Sequence, residues 1–148
     1  MTELSEDVAG VLRTVLGAEN AAIWVYGLAS AFDGEPRVSS AIGDAMNHHR
    51  VQRDTVERTL RDAGIAPPAA QPAYTLPQPV TDQKSAITAL ITAEHDCEVG
   101  WRAVLDTADD PNLRRTALDG LTAAATRATR WRITVGQKPS AQSFPGQP

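Results

Sequence analysis

Apolar residues return every third or fourth position through four long stretches of this chain, the spacing that lines one face of an α-helix. The first stretch, about residues 5–32, carries Val8, Leu12, Val15, Ile23 and Tyr26 on one stripe. Ser5 is placed to cap it, with Glu6 and Asp7 in the first turn, where carboxylates meet the positive end of a helix. Asp33-Gly34 and Pro36 are read as its stop. The second, about 39–63, carries Ile42, Met46, Val56 and Leu60 and ends before Gly64. The third, about 82–108, turns Ile87, Leu90, Ile91, Trp101, Val104 and Leu105 inward. The fourth, about 111–135, has Asp110 as N-cap and Pro111 at the first helical position. It continues through Leu113, Ala117, Leu121, Ala124, Ala128 and Trp131 until Gly136. The tail, 136–148, reads as irregular, docked through Phe144.

The connections set the topology. Residues 65–81 hold five prolines, which remove backbone donors and disfavour helix at and before themselves. A hairpin between bundle helices needs far fewer residues. A semi-extended strip of this length instead travels along a helix of about 25 residues, roughly 37 Å long. Helices two and three are therefore expected to run parallel. Two short turns and one long crossover predict an all-α, antiparallel four-helix bundle of the ferritin-like kind, with residues 1–148 as a single domain.

Composition narrows the function more than the fold. At 148 residues and 42% hydrophobic the chain can bury a full core. A net charge of −4 with mixed signs argues against a nucleic-acid surface or a polybasic membrane anchor. The polar start is unlike a signal peptide, and no run of apolar residues approaches the ~20 needed to span a bilayer. Cys97 is the single cysteine, so an internal disulfide is impossible and a cytoplasmic location is expected.

Three ionisable residues interrupt the apolar stripes near mid-helix: Glu19 in the first, His49 in the second and Glu94 in the third. Glu98 and Arg53 each follow by one turn. A buried charge costs several kcal/mol unless it is paired or coordinated, so something must neutralise this set. Dinuclear carboxylate bundles use metal, with one glutamate from each of two helices and a Glu-x-x-His pair from each of the others. Here the single glutamates are in place. Helix two offers Met46-x-x-His49 and helix four Ala124-x-x-Arg127, so three of six ligand positions remain.

The segments AENAAIWVYG (18–27), HRVQRD (49–54), AGIAPPAAQPAYTLPQPVTD (63–82) and ATRATRW (125–131) resemble an uncharacterised ferritin-like family of high-GC, actinobacterial organisms, known as a domain of unknown function. The resemblance spans nearly the whole chain and is most specific in PAYTLPQPVTD. It implies a ferritin-like fold and, in members without a lipoprotein signal, a cytoplasmic location. It implies no particular activity, substrate or catalytic residue. The family pattern has His where this chain has Asn20.

Two readings of the polar centre stand side by side. In one, Glu19, His49 and Glu94, with Glu98 as a further ligand, hold a single Fe, Mn or Zn ion and serve a metal-dependent oxidase or metal-handling protein. In the other, Arg53 and Arg127 counter the glutamates in a buried ion-pair network, and the protein is non-catalytic, without a cofactor, acting through self-association or ligand binding. Arginine favours the second, because a guanidinium repels a cation and pairs carboxylates bidentately. A third reading is a small-molecule pocket lined by Tyr26, His49 and Trp101, with Arg127 holding an acidic ligand. His48 and His95 sit one residue off the inward stripe and are expected at interfaces or exposed; Cys97 is expected to pack as a small residue. Trp24, outside the first stripe, points to a homodimer surface.

Overall fold

The computed structural model describes residues 3–148, and among them every regular element is helical. α1 spans Glu6–Ala29 and continues into a 3-10 turn, Ser30–Phe32. α2 spans Pro36–Asp62, α3 Gln83–Thr107 and α4 Pro111–Val135. The caps anticipated from sequence are made: the Ser5 hydroxyl accepts from the Val8 N–H at 3.2 Å and the Asp110 carboxylate from the Leu113 N–H at 2.8 Å. Asp82 and Ser85 form a reciprocal capping box at the start of α3. Gly136 closes α4 in the left-handed region, φ 72°, where a side chain would be strained.

One boundary differs. Pro36, read as a stop, is instead the first residue of α2, which starts three residues ahead of the anticipated Ser39. The first helical N–H has no partner within a helix, so a proline costs nothing there.

The four helices form the ferritin-like antiparallel bundle, with the proline-rich crossover between α2 and α3. α1 packs on α2 and α3, and α3 on α4. Two close approaches fix the α3 contacts. At Gly100 a Cβ would lie 2.9 Å from the Val15 side chain, and at Gly120 a Cβ would lie 2.6 Å from the Trp101 ring. These glycines let α1 and α4 come close to α3, with the indole of Trp101 filling the space that a side chain at position 120 would need.

The crossover is a covering strip. Ile65, Leu76 and Val80 pack on the core from outside, and Tyr74 lies against Trp24 with ring centroids 6.1 Å apart. Trp24 is half-buried, and the two rings are tilted by 58°. The tail also docks differently from the sequence reading. Phe144 is 67% exposed, whereas Gly146 is buried against the Glu98 carbonyl and the Arg102 side chain. One further expectation needs amending: Glu6–Phe32 is long and apolar enough, by composition, to cross a membrane. Its apolar face is used inside the bundle, and Glu19 sits in its middle.

Candidate functional site

The polar centre is assembled by all four helices. Glu19 and Tyr26 come from α1, two turns apart; His49 comes from α2; Glu94, Cys97 and Trp101 share a face of α3; Arg127 and Trp131 come from α4. The sequence thus brings Glu19, His49, Glu94, Tyr26, Trp101 and Arg127 to one place. Glu19 is 1% exposed, and His49 and Glu94 are fully buried.

His49 is the keystone. Its Nδ1 lies 2.5 Å from Glu19 Oε2 and its Nε2 2.9 Å from Glu94 Oε1. Carboxylates accept hydrogen bonds, so a ring with one at each nitrogen is satisfied as a doubly protonated imidazolium. Burial alone would push His49 down; the two carboxylates override it and raise its pKa to about 9. Arg127 clamps Glu94 from the other side, Nε donating to Oε1 at 2.7 Å and Nη2 to Oε2 at 3.2 Å. Glu94 is pushed up by burial, but His49 and Arg127 more than offset this and hold it below the ordinary carboxylate range.

Aromatic donors complete the set. Tyr26 donates to Glu94 Oε1 at 2.6 Å and accepts from Trp131 Nε1–H at 2.8 Å. Trp101 Nε1–H donates to Glu19 Oε1 at 2.8 Å. Burial and the neighbouring Glu94 push the Tyr26 hydroxyl well above its usual value, so it serves as a donor. Glu19, Glu94, His49 and Arg127 carry two formal charges of each sign, and each carboxylate oxygen of the glutamates has a donor. This balance is what lets ionised groups sit in a dry core without the full desolvation cost.

Several sequence-level assignments change. Arg53 does not counter the glutamates. It is rotated about 40° from His49 by its four-residue offset, and its Nε bonds Asp54 at 2.8 Å near the surface. Glu98 is buried but stands apart from the centre, 3.4 Å from His95 Nδ1, beneath the tail. Burial raises its carboxyl pKa. Glu98 Oε2, His95 Nδ1 and Arg132 Nε are buried without hydrogen-bond partners among the described residues. Tyr26, His49 and Trp101 do not line an open core pocket, since their polar atoms are spent on the glutamates. Cys97, expected to be mere packing, brings its sulfur into a group with Glu19 and His49 whose ligand atoms all lie within 4.8 Å of one another. Its position three residues after Glu94, on the same helical face, is the signal that could have found it. Burial and both glutamates push the thiol well above its usual value, which keeps it protonated.

The donor set does not suit a dinuclear metal centre. Met46 and Ala124 stand where two of the four carboxylates would be, and Arg127 replaces the second histidine with a guanidinium aimed at Glu94. Both nitrogens of the remaining histidine already hold carboxylates.

Known structures share the fold. A conserved hypothetical protein of Mycobacterium tuberculosis, rv2844, is 32% identical, covers 89% of this chain and 99% of its own, and superposes with a TM-score of 0.84. A bacterioferritin-related protein from Bacteroides fragilis, described as a dodecameric thioferritin, superposes at 0.72 with 13% identity, over 88% of this chain and 86% of that one. A ferritin-like, diiron-carboxylate protein from Bacillus anthracis str. Ames does so at 0.74 with 13% identity, over 89% of this chain and 99% of that one. At such identities the last two share the fold alone. No curated protein matches the chain. Residues 11–148 match the family described as Domain of unknown function (DUF4439), and it is to this family that the chain belongs.

Proposed function

We propose that this chain is a ferritin-like bundle that works by binding a ligand or partner, with a charge-balanced side-chain network standing where dinuclear relatives of the fold place metal. One observation carries the reading: His49 is held between Glu19 and Glu94 by both ring nitrogens while Arg127 clamps Glu94. Those contacts set two positive charges against the two buried carboxylates without a metal ion. The test is elemental analysis of protein purified without chelator, then reloaded with Fe(II), Mn(II) and Zn(II). Substoichiometric metal throughout is expected; a stoichiometric metal lost in Glu94→Ala, with helicity kept, overturns the reading. The Bacteroides protein is described as dodecameric, which supports self-association here too. Light scattering at several concentrations distinguishes a monomer from a homodimer or larger assembly.

A second reading has its own support. Glu19, His49 and Cys97 offer one carboxylate oxygen, one imidazole nitrogen and one sulfur within reach of a single ion. Such a set suits Zn(II) or Fe(II) once the thiol and imidazole lose their protons. Cobalt(II) loading tests it directly: a sulfur-to-cobalt absorption band that vanishes in Cys97→Ala supports this site, and no band rejects it.

A further inference from the structure

A cleft of about 680 Å³ opens between the first half of α2 and the second half of α4, two helices that make little contact with each other. That size is typical of small-molecule sites. Its buried wall is apolar, formed by Val38, Ala45 and Trp131, with the half-buried Arg127 and His48 beside them and the exposed Ile133 further out. Carboxylates occur only among exposed residues of the cleft, Glu35 and Asp44, together with the exposed Arg37 and Arg130. The exposed part of the cleft is thus neutral in charge, whereas its half-buried polar groups, Arg127 and His48, include no carboxylate.

Arg127 ties the cleft to the buried centre. Its side chain is 14% exposed, and its Nε and Nη2 are taken by Glu94. Among the described residues Nη1 has no protein partner, and the residue lines the cleft. Among the described residues His48 meets only Gln52 Nε2, at 3.3 Å through its own Nε2, which leaves Nδ1 without a partner there. Ile133, 63% exposed, adds accessible apolar area to the wall of the cleft.

We infer that this cleft binds a small organic monoanion, a carboxylate held by Arg127 and His48 with an apolar body laid along Trp131, Val38 and Ile133. A carboxylate matches the free edge of a guanidinium in shape and charge. A dianion such as a phosphate monoester would find too little free positive charge, because Glu94 already neutralises most of Arg127. The apolar flank provides the area for a chain or ring, and its burial would supply most of the affinity. The inference rests on the proposal that Arg127 is the counter-ion of Glu94 and not a displaced remnant beside a metal. Occupancy would draw on the same guanidinium that holds Glu94, so binding in the cleft is linked to the buried network.

The test titrates decanoate into isotope-labelled full-length protein and follows amide shifts, with decanol and decyltrimethylammonium as neutral and cationic counterparts. Saturable shifts confined to residues 35–48 and 127–134, with decanol and the cation bound about tenfold more weakly or worse, are expected. Ile133→Asp, an exposed change outside the buried network, should weaken decanoate by about tenfold or more. It should leave the melting temperature near that of the parent. Equal affinity for decanol, shifts elsewhere, or an unaffected Ile133→Asp variant overturns the inference. Arg127→Leu separates it from the proposal beneath it. A loss of stability in that variant, with no decanoate response in the parent, defeats the ligand alone. An unchanged stability defeats both.

Discussion

Raising the pH should weaken this fold through one residue. His49 has an ordinary pKa near 6.5 and a folded value of about 9. Because the folded value is raised, its contribution is complete below pH ~6.5 and disappears as pH climbs through ~9. At about 1.4 kcal/mol per pH unit, the full rise corresponds to about 3 kcal/mol. Most of it is lost between pH ~6.5 and ~8.5, a window chosen for two reasons. His48 is held down by burial and by Arg127, so its own titration is displaced toward the acid side of this window. Cys97, whose thiol is pushed up by burial, begins to matter only near its ordinary value of 9.0. Urea denaturation across this window should show stability falling by 2–3 kcal/mol, or about 5–10 °C in Tm for a chain of this size. His49→Gln should be less stable at pH ~6.5 and nearly independent of pH above it. A flat profile in the parent protein, or the same slope in His49→Gln, would refute the bridging imidazolium. On the acid side the sign reverses. Glu94 is held low, so its contribution is present above pH ~4.5 and lost as pH falls through its depressed value.

Arg127→Leu leaves Glu94 buried with less compensation and should cost about 3 kcal/mol, the low end for breaking a buried pair because the cleft admits water. A double-mutant cycle with Glu94→Gln should recover part of that loss, and strict additivity would refute the pairing. Tyr26→Phe removes a donor to Glu94 and the acceptor of Trp131 together, and should cost about 1–3 kcal/mol by thermal denaturation. Gly120→Ala should destabilise by about 1–3 kcal/mol even though alanine is the better helix former. Its Cβ would press on the Trp101 ring and disturb that indole's bond to Glu19, so indole fluorescence should shift as well. A more stable Gly120→Ala would mean the packing at Trp101 is wrong.

Much of the architecture could be read from periodicity and punctuation. Four apolar stripes at helical spacing, caps at Ser5 and Asp110, the stop at Gly136 and the five prolines of 65–81 specify the bundle and its crossover. They are local signals, carried by backbone sterics and by the face a side chain occupies. The same periodicity put Glu19, His49 and Glu94 at the centres of their helices, because a polar residue inside an apolar stripe must end up in the core. Partners within the core are a different matter. Arg53 and Arg127 look equivalent as cations near inward faces, yet Arg53 turns to Asp54 and Arg127 to Glu94. Glu98 looks like a second ligand and lies instead under the tail; Cys97 looks like packing and lies beside Glu19 and His49. A four-residue step turns a side chain by about 40°, so small differences in helix rotation and crossing decide which neighbour it meets. By itself, the sequence determined that there is a four-helix bundle with ionisable groups in its middle. Only the packing of the helices, fixed by close contacts such as Gly100 on Val15 and Gly120 on Trp101, decided that those groups neutralise one another.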